Sequence, residues 1–330
     1  MPKRGLVIGK FYPPHCGHKY LIDTAQSQTD NLWVIICGKP EEIPSGELRA
    51  AWLREMHPQA NILLIEDNYD QDDSKLWAAL TRDWLGFTPD MVFTSEDYGE
   101  AYARYLGCSH MQVDKSRKAY PISGTLVRSN ALAYWDFLEP PVRAYYAKRI
   151  CIVGAESTGK TTLAQRLAEH YQTVWIEEYG REYSERKLAE DGYYNWHSEE
   201  FAHIAQKQCE IENARARQAN RVLICDTDGF ATSIWHRRYI GEISPEVGEI
   251  AANHRCPDLY LLPDVNTPFV QDGTRDGETI REWMHETFIE ELTKQRRPFR
   301  LLSGSYEERR QQAIESIDAL LNSCASDLQQ

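Results

Sequence analysis

Two stretches of this chain combine residue types suited to handling phosphate. Residues 9–22 read GKFYPPHCGHKYLI, with His15 and His18 on either side of Gly17, just after the apolar run GLVI. Pro13 and Pro14 stiffen the loop, Gly17 lets backbone approach a ligand, and His18 falls in the first turn of the following helix. A helix start has unpaired N–H groups and a positive dipole end, so it is a ready anion site, and two imidazoles add donors to it. The same dipole end lowers an imidazole's pKa, so neutral donors serve as well as cations. Gly9 and Phe11 belong to this turn and are taken as substrate-side residues. A solvated loop and a two-histidine metal site are the alternatives. Zinc would need further ligands at helical or ribbon spacing, and Cys16 points the wrong way along the turn to join both histidines.

The second stretch, GAESTGKT from Gly154 to Thr161, matches G-x-x-x-x-G-K-[ST] in full. It lies between a strand, RICIV, and a helix, TTLAQRLAEHY, which is the context such a loop requires. Gly154, Ser157, Thr158, Gly159 and Thr162 would cradle phosphates, Lys160 would reach the β and γ groups, and Thr161 would ligate Mg²⁺. RVLICDTD supplies Asp226 as the second metal ligand and Asp228 as a further catalytic acid; a helix cap or loop acid is the plainer alternative for both. In EEYGREY, Glu178 would accept a hydroxyl proton and Tyr179 would face a flat ring, with Arg181 a further candidate. An amphipathic helix start with acids in its first turn is the alternative there. VQDGTRDGETIR reads as a lid, with Arg275 closing on the transferred phosphoryl group and Arg281 a lesser choice. LSGSYEERR would shape an adenine pocket.

The elements that must position these residues form two series. Residues 6–8, 32–37, 62–65, 91–93 and 111–113 are buried-strand runs with helical patterns between them, at 17–27, 46–56, 74–85 and 98–106. That alternation predicts a parallel, doubly wound sheet. Glu139-Pro140-Pro141 reads as a stiff break that no helix continues through. The alternation then restarts with strands at 150–153, 173–176, 222–225, 259–262 and 299–302. The longest helix is expected within 198–219, and a closing helix at 306–321. The expectation is an α/β chain of two doubly wound parallel-sheet domains, 1–147 and 148–330.

Composition narrows the partners. The net charge is −13 and no long Lys/Arg run exists, so a small molecule is expected rather than DNA. The eight cysteines include no C-x-x-C pair, and four of them, Cys37, Cys108, Cys151 and Cys225, lie in or beside apolar stretches and read as buried thiols of a reducing compartment. No apolar run approaches a membrane span, so the cytoplasm is expected, with no membrane partner.

GKFYPPHCGH resembles the H-x-G-H signature of the nucleotidyltransferase superfamily, and ISGTLVR, residues 122–128, resembles its I-S-x-T-x-x-R partner motif. On its own chemistry, Ser123 or Thr125 would cap the next helix and Arg128 would point its guanidinium at polyphosphate. The resemblance implies a Rossmann-like domain for adenylyl transfer from ATP: His15 and His18 on its phosphates, His18 nearest the α position, Arg128 on the outgoing β and γ groups. Lys10 and Lys39 are weaker candidates.

An adenylyltransferase followed by a P-loop kinase resembles the NadR-type bifunctional enzymes of NAD salvage. VFTSEDYGEAYARYLG, ISGTLVR, GAESTGKTTLAQRLA, EEYGREY and CDTD stand in that family's order. The resemblance implies a thymidylate-kinase-like half that phosphorylates nicotinamide riboside to the mononucleotide, NMN, and a transferase half that joins NMN to AMP, making NAD. ATP is the co-substrate of both steps and Mg²⁺ the cofactor. Trp33, Trp77, Trp84, Glu96 and Asp97 are contributors to nicotinamide recognition, with core packing the alternative for the tryptophans. Some members carry an N-terminal helix-turn-helix; here the first strand starts within a few residues of Met1, so no operator binding is expected. Self-association into a homo-oligomer is left open. The rival readings are a fused pantetheine-phosphate adenylyltransferase and dephospho-CoA kinase, and a non-catalytic sensor of ATP and NAD.

Overall fold

The computed structural model describes residues 2–70, 72–192, 195–269 and 278–326. The chain divides into two compact units, Met1–Val142 and Arg143–Gln330.

In the first unit, strands β1 (Arg4–Gly9), β2 (Asn31–Gly38), β3 (Asn61–Glu66), β4 (Met91–Thr94) and β5 (Ser109–Gln112) form one parallel sheet in the order β3-β2-β1-β4-β5. Helices α1 (Cys16–Ser27), α2 (Gly46–Met56), α3 (Ser74–Leu85), α4 (Gly99–Leu106) and α5 (Gly124–Ser129) follow the strands. Successive strand residues point to opposite faces, and here both faces are apolar. Val7, Val34 and Ile36 pack with Leu21, Ile22 and Leu53 of α1 and α2. Leu6, Ile8 and Ile35 pack with Trp77 of α3 and Tyr102 of α4. A sheet covered twice in this way is doubly wound. The chain reverses its strand order between β1 and β4, and such a switch point opens a crevice at the strands' carboxyl ends.

No helix runs through the expected break: the 3-10 turn Trp135–Phe137 ends before it and helix α6 (Pro140–Tyr146) starts on it. Its two prolines occupy the first turn, where a missing N–H costs nothing and the fixed φ suits a helix, so they start the helix instead of blocking one.

In the second unit, β6 (Lys148–Ile152), β7 (Trp175–Ile176), β8 (Val222–Asp226), β9 (Leu259–Pro263) and β10 (Phe299–Leu302) form a parallel sheet in the order β10-β9-β6-β8-β7. Seven helices accompany them among the described residues: α7 (Lys160–Tyr171), α8 (Tyr179–Asp191), α9 (Ser198–Arg215), α10 (Gly229–Ile240), α11 (Pro245–Asn253), α12 (Arg281–Lys294) and α13 (Tyr306–Ser326). Ile150, Ile152 and Ile224 pack under Leu163 and Leu167 of α7 and Ile314 and Ile317 of α13. At 21 residues α13 is longer than α9, at 18, against expectation. The helical pattern at 198–219 gives way to a 3-10 turn at Ala216–Gln218. No helix among the described residues is long and apolar enough to cross a membrane.

Candidate active sites

In the first unit the loop leaving β1 turns through Phe11, whose φ of 47° and burial lock it in place. His15 is the N-cap of α1: its Nδ1 accepts the His18 N–H at 3.4 Å. With Nδ1 as acceptor, the proton rests on Nε2, which stays available as a donor. The two imidazoles stack at 3.7 Å between ring centroids. Burial, then the nearby Arg117 guanidinium, lowers the His15 pKa to about 4. Burial, then His15, then Arg117, holds His18 well below its ordinary value. Both rings are therefore neutral hydrogen-bonding groups near pH 7. The His18 Nδ1 is buried with no protein partner among the described residues.

Ser123 caps α5 by accepting the Leu126 N–H at 3.3 Å. The Arg128 guanidinium donates to the Tyr12 carbonyl and to Thr125 Oγ1, and lies over the Tyr12 ring. The two motifs, far apart in sequence, thus meet across one cleft of about 600 Å³ that takes in Gly9, Phe11, His15, His18, Ser123, Thr125 and Arg128. Sequence reasoning missed Arg117, which also lines this cleft and pairs with Glu96 at 3.0 Å. It belongs to no motif, and only the fold of the turn at 114–119 presents it. Buried Arg49 was missed too; it ties the Lys10 carbonyl to Glu42 and so braces the loop. Trp77 packs in the core and also lines a cleft with Gly9 and Lys10, Trp84 packs partly buried against that core, Trp33 packs on Phe87, and Asp97 pairs with Lys115.

In the second unit, Gly159 precedes α7 with φ of 84° and offers no side-chain cap, so the first N–H groups of the helix stay open to a ligand. The Lys160 ammonium donates to the Ala155 carbonyl at 2.9 Å, curled over its own loop. Strand β8 is in register with β6, which sets Asp226 beside the loop. Asp226 Oδ2 accepts from Thr161 Oγ1 at 2.5 Å, and Oδ1 is buried with no protein partner among the described residues. Burial raises the Asp226 pKa, against the pull of Lys160. An oxygen pair with one acceptor left over is the donor set a hard divalent cation takes.

Glu178 occupies the N-cap position of α8 but makes no capping bond, and its carboxylate lines the cleft instead. Burial pushes its pKa up to about 7, opposed by Lys160. Asp228 is the opposite case and corrects the sequence expectation. It caps α10 through the Ala231 N–H at 2.8 Å and accepts the Tyr260 hydroxyl at 2.6 Å, with only 4 % of its surface exposed. Its carboxylate is fully used in structure. Tyr179 is corrected as well: it is buried, its hydroxyl pairs with His203 at 3.2 Å, and it does not line the cleft. Aromatics that do line it are Trp196, Phe201, Trp235 and Tyr239, none foreseen. Trp235 and Tyr239, one helical turn apart on α10, were the readable signal. Ser157, Thr158, Gly159 and Thr162 line the same cleft of about 160 Å³; Gly154 lies at the loop's start, packed against Leu262. Arg281 is turned into structure, donating to the carbonyls of Thr267 and Ser157. Arg275 lies outside the described residues.

Fold and sites together define a two-unit α/β nucleotide-binding protein, each unit with a phosphate cradle where a central strand meets a helix. Residues 149–309 match the family model of an AAA domain. The trifunctional NAD biosynthesis/regulator protein NadR of Salmonella typhimurium is 30% identical over 88% of this chain and 76% of that protein. Its Escherichia coli counterpart is 29% identical over 96% of this chain and 83% of that protein. The chain belongs to the NadR family. Crystal structures of NadR protein, one in complex with NR and one with NAD and AMP-PNP, share the fold over 97% of this chain and 96% of theirs. Their TM-scores are 0.80 and 0.78, at 21% and 20% identity.

Proposed function

We propose that this chain is a bifunctional NAD salvage enzyme. The second unit phosphorylates nicotinamide riboside with ATP, giving NMN, and the first unit adenylylates NMN with ATP, giving NAD and pyrophosphate. The observation that carries this reading is the pair of separate cradles, each complete with its own donors.

In the kinase unit, Lys160 and the open amides of α7 hold the β and γ phosphates, and the aromatic wall holds the flat ring. Glu178, already poised near neutrality, takes the proton of the riboside's primary hydroxyl as its oxygen attacks the γ-phosphorus, the β–γ bridging bond breaks and ADP leaves. Thr161 and Asp226 fit Mg²⁺ through their paired oxygens and the spare Oδ1. Bound there, the ion would neutralise charge on the β and γ oxygens.

In the transferase unit, a phosphate oxygen of NMN attacks the α-phosphorus of ATP, and the α–β bridging bond breaks. No acid or base of the protein is required, because both the nucleophile and the leaving pyrophosphate are anions. His15 and His18 donate to the phosphates and Arg128 draws on the departing pair, so rate comes from positioning and charge stabilisation. Paired assays with product identification test the reading: riboside plus ATP should give NMN, and NMN plus ATP should give NAD. If neither product forms, the reading is wrong.

A further inference from the structure

Thr227 stands between Asp226 and the capping Asp228 with φ of +65°. A β-branched side chain in the left-handed region is a true outlier, because its Cβ substituents crowd the carbonyl. Such a conformation persists only where its surroundings over-determine it. Here they do: its N–H donates to the Ile152 carbonyl at 3.0 Å, and Asp228 is pinned by Ala231 and Tyr260. A glycine would adopt this turn without strain, yet the chain holds a threonine there. Thr227 lines the kinase cleft, together with Lys160, Thr161 and Glu178.

We propose that Thr227 is a substrate-contacting residue of the kinase step, its hydroxyl donating to an oxygen of the phosphoryl group as it passes to the acceptor. The location supports this contact over one to the flat ring. Thr227 follows directly on the end of β8 beside the phosphate loop, whereas the aromatic wall comes from α9, α10 and the residue Trp196. The left-handed turn is what brings the hydroxyl there, since an extended residue 227 would continue the strand and carry its side chain away. The inference rests on reading the second unit as a riboside kinase.

The test uses the full chain and two variants, Thr227→Gly and Thr227→Ser, assayed for riboside phosphorylation, NMN adenylylation and melting temperature. Thr227→Gly relieves the backbone and removes the hydroxyl. It should melt no lower than wild type, and up to about 4 °C higher, while kcat for phosphorylation falls at least about 30-fold, in the range of a lost transition-state donor. Thr227→Ser should keep kcat within about threefold of wild type, because it keeps the donor. Adenylylation should be unchanged in both. A Thr227→Gly enzyme with full kinase activity, or equal losses in the glycine and serine variants, overturns the contact. A lower melting temperature for Thr227→Gly overturns the strain argument. A wild-type protein that makes no NMN from the riboside fails the kinase reading itself and takes this inference with it.

Discussion

The two phosphate cradles occupy the same kind of place and solve different problems. Each follows the central strand of its sheet, β1 or β6, at the mouth of the next helix. In the first unit the helix mouth is capped by an imidazole, the innermost donors are neutral, and the cationic Arg117 and Arg128 are exposed at the rim. In the second unit the helix mouth is uncapped and a buried lysine sits at the centre. The chemistry proposed for each accounts for the difference. Adenylyl transfer must release pyrophosphate, and a buried cation would hold that product. Phosphoryl transfer passes the group across the centre, where a fixed charge stabilises it throughout.

The comparison breaks first if the cradles are not separable. Lys160→Ala should lower phosphorylation of the riboside by at least about 10³-fold, as one transition-state charge contact is lost from a dry site. NMN adenylylation should stay within twofold, about the scatter of such assays. His18→Ala should reverse the pattern, by about 10²-fold. If either substitution disables both steps while the melting curve is unchanged, one shared site replaces two. Gly124→Ala is the next largest effect. An added Cβ would lie 2.4 Å from the Tyr12 carbonyl oxygen, the same oxygen that receives the Arg128 guanidinium. Tyr12 must move, Arg128 moves with it, and adenylylation should fall by about 10²-fold, the cost of roughly 1 Å of misplacement. Steady-state kinetics on both reactions checks it.

Much of this was legible before folding, and the exceptions share a physical cause. Both loops could be read as candidate phosphate sites because a loop must supply its donors within one turn, which forces tight spacing on His15–His18 and on Gly154–Thr161. The doubly wound sheets could be read because apolar runs alternated with amphipathic ones. The acids were harder. Asp226 and Asp228 lie two apart after the same strand, and only the Tyr260 hydroxyl and the α10 cap reveal that the second is structural. Tyr179 looked available because its neighbour Glu178 is; one residue of helix turns it toward His203 instead. The aromatic wall joins Trp196 and Phe201 to Trp235 and Tyr239, segments separated by a whole helix, so no local pattern could assemble it.

A pH profile sharpens the contrast between the charged and neutral cradles. The Glu178 pKa is raised to about 7, so its carboxylate gains a proton as pH falls through that value and the base is lost. For phosphorylation, kcat/KM should drop about tenfold per pH unit on the acid side, since this ratio reports the free enzyme. The pKa of His15 is lowered to about 4 and that of His18 lies well below its ordinary value, so the two histidines should add no acid limb to adenylylation between pH 6 and 8. Glu178→Gln should abolish the kinase limb along with most of the kinase activity. An identical acid limb in both reactions would remove Glu178 as its source.

The smallest effect concerns what holds the second cradle in shape. Arg309 of α13 is buried, pairs with Asp264 at 2.8 Å, and donates to the carbonyls of Gly304 at 2.9 Å and Thr158 at 3.4 Å. It therefore links the phosphate loop to the segment after β10 and is not among the residues lining the cleft. Arg309→Ala removes that link but leaves Lys160 and the loop amides in place. Loss of about 1 kcal/mol of bracing corresponds to roughly a fivefold rise in KM for ATP, with kcat nearly unchanged. Arg309→Lys restores a charge for Asp264 but cannot span both carbonyls, so its KM should fall between the two. Because the loop of the first cradle is braced by its own Arg49 and not by Arg309, ATP saturation of adenylylation should be the same in all three proteins. A matching KM rise there would mean that Arg309 acts through general stability rather than through its own loop.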